Sequence, residues 1–217
     1  MTNQNSFKVI LLGDGAVGKT TWIKRHLLGV FESKYISTIG VEVHPLVFQT
    51  NRGQVNLNVW DTAGQELYGG FRDGYYANAD AALLIFDVTN KQSYNHVDTW
   101  YRALRRICPN IPVVLCGNKA DVSAKERQIA TKKVTFHLKK KLAGYVEMSS
   151  KANYNIEVPV LYLLQHLMGD GTSLVQAIRY KDPEIVPHMD STLVNVQAAQ
   201  AVEQYVPPAK IDYDSLV

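Results

Sequence analysis

Gly13-Asp14-Gly15-Ala16-Val17-Gly18-Lys19-Thr20 decides the fold. The apolar run Val9-Ile10-Leu11-Leu12 precedes it, and Thr21-Trp22-Ile23-Lys24-Arg25-His26-Leu27 follows with the look of a helix. A strand, a glycine-bearing turn and a helix start are the context in which GxxxxGK[ST] becomes a phosphate site. Glycines let the loop turn its backbone N–H groups inward and come close to a phosphate. The first turn of the helix adds unpaired N–H groups and the positive end of a dipole. Lys19 brings charge to the terminal phosphates, and the Thr20 hydroxyl can ligate Mg²⁺.

Downstream motifs narrow the ligand. Trp60-Asp61-Thr62-Ala63-Gly64-Gln65 ends an alternating strand. A carboxylate placed there can hold Mg²⁺ through water, the Gly64 N–H can meet a terminal phosphate, and Gln65 can orient an attacking water. Asn118-Lys119-Ala120-Asp121 follows another apolar strand. The Asp121 carboxylate can accept both the N1–H and the exocyclic amine of guanine, a donor pair adenine lacks, so the site should read guanine. Asn118 is expected to tie loops together and the Lys119 stem to lie across the purine. Backbone N–H groups of Ser149-Ser150-Lys151 can reach the purine carbonyl. Thr38, between the first two motifs, is spaced to complete Mg²⁺ coordination and touch a γ-phosphate. A contact that only the triphosphate makes is the physical basis of a switch.

Strands are expected at 7–12, 43–48, 55–60, 81–87, 113–118 and 145–148, and helices at 18–28, 68–79, 91–107, 124–142 and 154–169. Ala81–Phe86 and Val113–Cys116 are continuously apolar, as strands buried on both faces are. Asn51-Arg52-Gly53 signals a hairpin, hence one antiparallel pair. Alternating strands and helices imply a doubly wound α/β sheet with helices on both faces. Asn90 is expected to cap a helix and Gly169 to end one. The chain divides into a flexible 1–6, a nucleotide-binding domain at 7–169, a linker at 170–189, and a C-terminal helix with a mobile tail at 190–217.

Hydrophobic residues make up 46% of the 217-residue chain, enough for a full core, yet no stretch approaches the ~20 apolar residues of a membrane span. Cys108 and Cys116 look like ordinary thiols, and neither is placed for prenylation. Net charge is +3, but residues 182–217 hold six acids and one base, so a basic body carries an acidic tail. Lys132 to Lys141 contains five lysines. On charge alone that stretch is equally a solvated helix face or a partner surface, and no base-reading module supports nucleic-acid binding.

The four motifs in this order resemble the small GTPases with a Ras-like P-loop fold. Longer stretches resemble the Ran family within them: Lys24–Leu27, Gly40–Phe48, Thr50–Gly53, Gly69-Gly70, Arg72–Tyr76, Asn110–Pro112, Val114–Lys119 and Asn153–Asn155. The resemblance implies a six-stranded, mostly parallel sheet with one antiparallel strand. It implies GTP and GDP as ligands, Mg²⁺ as cofactor, and GTP hydrolysis that is slow without an activating protein. Gln65, Lys19 and Thr38 form the implied catalytic set. Nucleotide contacts fall on Gly15, Ala16, Val17, Gly18, Lys19, Thr20, Thr21, Phe31, Tyr35, Gly64, Asn118, Lys119, Asp121, Ser149, Ser150 and Lys151. The metal set is Thr20, Thr38 and, through water, Asp61. Implied partners are importin- and exportin-like transport receptors, Ran-binding domains, an activating protein and an exchange factor. The implied setting is nucleus and cytoplasm, without a membrane anchor, and the basic stretch would then meet acidic receptor surfaces.

Three features depart from the Ran pattern. The chain ends Ile211-Asp212-Tyr213-Asp214-Ser215-Leu216-Val217 rather than in a long acidic run. Leu67-Tyr68 replaces the Lys-Phe pair that meets the factor returning the GDP form to the nucleus. Ser150 stands where Ala is usual. Two alternatives stay open: a non-catalytic, GTP-dependent scaffold that sequesters transport receptors, and a Rab-like vesicle-traffic regulator, against which the absence of a C-terminal cysteine argues.

Overall fold

A computed structural model describes residues 5–32, 36–64 and 72–175, with only the backbone given at 72 and 73. Six strands form one sheet: β1 Asn5–Leu12, β2 Val41–Thr50, β3 Gly53–Thr62, β4 Ala81–Asp87, β5 Val113–Asn118 and β6 Gly144–Glu147. Their spatial order is β2-β3-β1-β4-β5-β6. Among the pairings of these six strands, only the β2–β3 hairpin is antiparallel, with Thr50 opposite Gly53 at its turn. The other pairings are parallel. All six strands and the antiparallel hairpin agree with the sequence expectation.

The helices lie on both faces because β4 and β5 feed both. Successive strand residues point to opposite sides. Leu83 and Ile85 therefore join one core with Trp22, Ile23, Leu161 and Leu164. Ala82, Leu84 and Phe86 join the other with Tyr76, Trp100, Leu104 and Val134. The first core is closed by α1 Lys19–Leu28 and α6 Val158–Met168. The second is closed by α2 Arg72–Tyr76, α3 Lys91–Asn95 and α4 Val97–Ile107. Two tryptophans are fully buried, and each indole N–H has a partner, as burial demands. Trp22 Nε1 donates to the Ile156 carbonyl at 2.8 Å, and Trp100 Nε1 donates to the Asp14 carboxylate at 2.7 Å.

Asn90 caps α3 as expected, accepting from the N–H groups of Gln92 and Ser93. Gly169 ends α6 at φ 107°. The helix expected over 91–107 is interrupted at His96, whose backbone stays helical while its ring turns to Asp14. The one expected over 154–169 starts at Val158, because Ser149 and Tyr154 pair as an isolated bridge and Asn153 and Asn155 adopt φ of 53° and 51°. Of the one expected over 68–79, residues 68–71 lie outside the described residues, and the helix runs Arg72–Tyr76 and ends there, with Asn78 at φ 57°.

The expectation of one helix over 124–142 is corrected. The segment holds a 3₁₀ turn at Thr131–Lys133 and a single turn, α5 Phe136–Lys139. Tertiary bonds win over local propensity here. The N–H groups of Gln128 and Ile129 both donate to the Val88 carbonyl, at 3.0 and 3.1 Å, and Ile129 is buried. A helical path would break both. The basic run Lys132–Lys141 therefore lies over two short turns and a loop rather than along one helix face.

The described chain continues past Gly169. Leu174 is buried and bridges Thr50, while Asn51 and Ser173 exchange bonds at the hairpin tip. The helix expected after 190, Leu67-Tyr68 and the chain end lie outside the described residues. No helix among the described residues is long and apolar enough to cross a membrane.

Candidate functional site

The motif residues meet in one cleft of about 510 Å³ above the carboxyl ends of β1, β3, β5 and β6. That is where an open α/β sheet binds ligands. Its lining includes Gly15, Ala16, Gly18, Lys19, Thr20 and Thr21 from the loop and α1. It also includes Phe31, Thr38, Gly64, Asn118, Lys119, Asp121, Ser150 and Lys151. Val17 does not line the cleft: its side chain is in the core and its carbonyl accepts from Asn118. Ser149 is fully buried just beneath the rim. Gln65 and Tyr35 lie outside the described residues.

Gly18, at φ 98°, caps α1 in the left-handed region, where a Cβ would fall on the Asn118 amide. That amide donates to the Val17 carbonyl at 2.8 Å, and Asn118 Oδ1 accepts the Ser150 N–H at 3.2 Å. Asn118 thus ties the phosphate loop to the last loop of the cleft, as the sequence suggested. Lys19 is buried and its ammonium donates to the carbonyls of Gly13 and Asp14 at 2.7 and 2.9 Å. Those bonds aim it across the mouth of the loop.

Asp61, Thr20 and Thr38 form a cluster of hard oxygens. Thr20 Oγ1 donates to Asp61 Oδ2 at 2.5 Å and lies 2.9 Å from Thr38 Oγ1. Asp61 is fully buried and its Oδ1 has no hydrogen-bond partner. Burial lifts its carboxyl above the usual carboxylate range, against the opposing Thr20 bond and Lys19 charge. A buried carboxylate with a bare oxygen beside two hydroxyls fits a divalent cation that prefers oxygen donors.

At the other end of the cleft, Asp121 Oδ1 accepts from Ser149 Oγ at 2.6 Å. Lys119, at φ 64°, extends to Asp87 with its ammonium 2.7 Å from the carboxylate. Asp121 and Lys119 both line the cleft. Ser150 fits its departure from Ala: the residue is buried, with its hydroxyl 3.4 Å from Asn118 Oδ1.

Other contributors were not legible in the motifs. Asp14 is the freely variable position of the loop pattern, yet His96 Nδ1 and Trp100 Nε1 each sit 2.7 Å from its carboxylate. The four-residue spacing of His96 and Trp100 places them on one helix face, which is the one signal available for that contact. Lys24 and Glu32 pair at 2.7 Å on the rim. Arg25 donates to the Lys151 carbonyl at 3.0 Å, joining α1 to the purine-side loop.

Such a cleft, with a phosphate cradle at one end and a paired Asn-Lys-x-Asp loop at the other, defines a nucleotide-binding α/β domain of the P-loop type. Residues 8–168 match the Ras family, and the chain belongs to that family. Its members are GTP-binding switches, generally GTPases, that bind Mg²⁺ with the nucleotide and answer to activating and exchange proteins.

Proposed function

We propose that the chain is a Ran-type switch: it hydrolyses GTP and, in its GTP form, binds soluble nuclear transport receptors. The observation that carries the switch is the Thr38 hydroxyl, which belongs to the 36–40 segment yet lies 2.9 Å from Thr20 and 3.4 Å from Asp61. A loop whose Thr38 hydroxyl reaches the phosphate site responds to a change at the terminal phosphate. The transport role is supported by the likeness of Gly40–Phe48, Arg72–Tyr76 and Asn153–Asn155 to the Ran family.

The residues divide the chemistry. Loop N–H groups and Lys19 hold the β- and γ-phosphates. Thr20, Thr38 and Asp61 would hold Mg²⁺, which when bound would neutralise phosphate charge. Gln65 orients the attacking water. No arginine among the described residues lines the cleft, so an activating protein is expected to supply one. Importin- and exportin-like receptors, Ran-binding domains and an exchange factor complete the reading, with action in nucleus and cytoplasm.

The test is affinity capture of soluble partners on GTP-loaded and GDP-loaded protein. Transport receptors on the GTP form alone are expected. Their absence from both samples, with vesicle-tethering proteins in their place, sinks the transport role.

A further inference from the structure

Glu147 lies at the end of β6, outside the nucleotide cleft, and has no part in the motifs. Its carboxylate nevertheless accepts four hydrogen bonds. Arg127 Nη1 and Nη2 donate to its two oxygens at 2.9 and 2.7 Å, Thr131 Oγ1 at 2.6 Å and Tyr145 OH at 2.8 Å. The Glu147 and Arg127 side chains are only 15% and 17% exposed. Burial alone would raise the Glu147 carboxyl, but the bonds from Arg127, Thr131 and Tyr145 outweigh it and hold the group charged. Replacing such a buried pair by packed apolar groups is often neutral or stabilising, so its presence calls for a geometric reason.

Position supplies that reason. Glu147 stands two residues before Ser149, whose hydroxyl donates to Asp121. The Glu147 carbonyl accepts from Asn155 Nδ2 at 3.1 Å, steadying the turn that backs Ser149. Arg127 stands six residues after Asp121; the bonds between them are local, while the Ala120 N–H donates to the Met148 carbonyl at 3.1 Å on one side and the Gln128 and Ile129 N–H groups donate to the Val88 carbonyl on the other. Ser123 donates to Glu126 from its N–H and hydroxyl, at 3.1 and 2.8 Å, and the Val122 N–H reaches the Lys119 carbonyl only at 3.4 Å. The loop carrying Asp121 is therefore clamped at its distal end to the strand carrying Ser149. Arg127 does this with a bidentate fork, which fixes orientation as well as distance.

We propose that the Arg127–Glu147 clamp, with Thr131 and Tyr145, is a positioning device that holds Asp121 in register with the guanine edge and so sets base selectivity and nucleotide residence time. This rests on the guanine-reading role of Asp121. A carboxylate displaced by a fraction of an ångström keeps a general attraction for the purine but loses simultaneous contact with N1–H and the exocyclic amine. Selectivity should fall before binding does.

The experiment compares GDP with IDP, which lacks the exocyclic amine, by equilibrium competition and by release of each nucleotide. Wild-type protein should prefer GDP by about 10- to 150-fold, the worth of one hydrogen bond to a charged group. Arg127→Ala and Glu147→Gln should release GDP faster and cut that preference to a few-fold, and Arg127→Lys should restore it only in part. Should either drastic variant fail to fold, Thr131→Val and Tyr145→Phe each remove one donor and should lower the preference by smaller steps. A purely structural role would weaken GDP and IDP equally. Equal weakening, or an unchanged preference in folded variants, overturns the clamp alone. A wild-type protein that does not distinguish GDP from IDP overturns the guanine-reading role itself, and the clamp with it.

Discussion

Gly64→Ala is the most direct probe of how the phosphate loop meets the segment that follows β3. A Cβ built on Gly64 falls on the Gly15 nitrogen and lies 2.5 Å from the Asp14 carbonyl oxygen. These are backbone atoms of a loop held by Asn118, Lys19 and the core, so they cannot step aside as a flexible side chain would. Gly64 itself must withdraw by about 1 Å before the new methyl reaches ordinary contact at 3.4 Å. Its N–H then cannot reach a γ-phosphate within hydrogen-bonding distance. One hydrogen bond to a charged group contributes about 1.5–3 kcal/mol, so affinity for a triphosphate should fall about 10- to 150-fold. GDP makes no such contact and should bind the variant nearly as well as wild type. The assay is competition of GDP and a non-hydrolysable GTP analogue against a fluorescent nucleotide, with the thermal midpoint measured alongside. An unchanged ratio of triphosphate to diphosphate affinity, in a variant that is folded, would show that Gly64 does not contact the terminal phosphate.

Two further outcomes follow from buried groups. Asp61→Asn removes the charge from the oxygen cluster and should weaken Mg²⁺ by about 10- to 100-fold, so that chelating Mg²⁺ speeds nucleotide release from wild type but barely changes the already rapid release from the variant; equal acceleration of both would remove Asp61 from the metal site. His26 is enclosed between Trp22 and Phe48, donates from Nδ1 to the Trp22 carbonyl, and has its other ring nitrogen buried without a partner. Burial lowers its pKa to about 4, against the opposing Trp22 bond. Above the unfolded value of about 6.5 both states are neutral and nothing changes; as pH falls toward 4 the unfolded chain takes up a proton that the folded one refuses. About 2 kcal/mol of stability should be lost between pH 7.5 and 5, read as a lower urea midpoint, and His26→Phe should flatten that slope. A variant with the slope of wild type would place the responsible proton elsewhere.

What the sequence showed and what it hid divide by the range of the interactions. The phosphate loop was legible because its chemistry is carried by its own backbone: Gly18 needs a left-handed φ and close approach, and both are read from a single residue type. The sheet was legible for a similar reason. Ala81–Asp87 is buried at every position, while Gly53–Thr62 alternates, and period and composition report that without any knowledge of partners. The region 124–142 failed because Ala, Lys, Glu, Arg and Gln there are good helix formers, while the decisive bonds run to Val88 and Glu147, far off in the chain.

The same division explains which part of the cleft escaped the motifs. Asn118, Asp121 and Thr38 could be named because each stands at a strand end or loop where its role follows from spacing. The contacts that hold these residues still come from elsewhere: His96 and Trp100 to Asp14, Arg25 to the Lys151 carbonyl, Arg127 to Glu147. Each joins segments that meet only once the sheet order is set, and each uses a side chain free to do something else in another fold. A pattern of residue types can therefore specify that a phosphate and a purine are bound. How tightly the two ends of the cleft are coupled is decided by bonds such as the one from Asn118 to Val17, where a purine-side asparagine holds the carbonyl of the phosphate loop directly. Any displacement of Asn118 by the base is thereby felt at Gly18 and Lys19. Loss of the base contacts should therefore loosen the phosphate end as well, and nucleotide release should be one event rather than two.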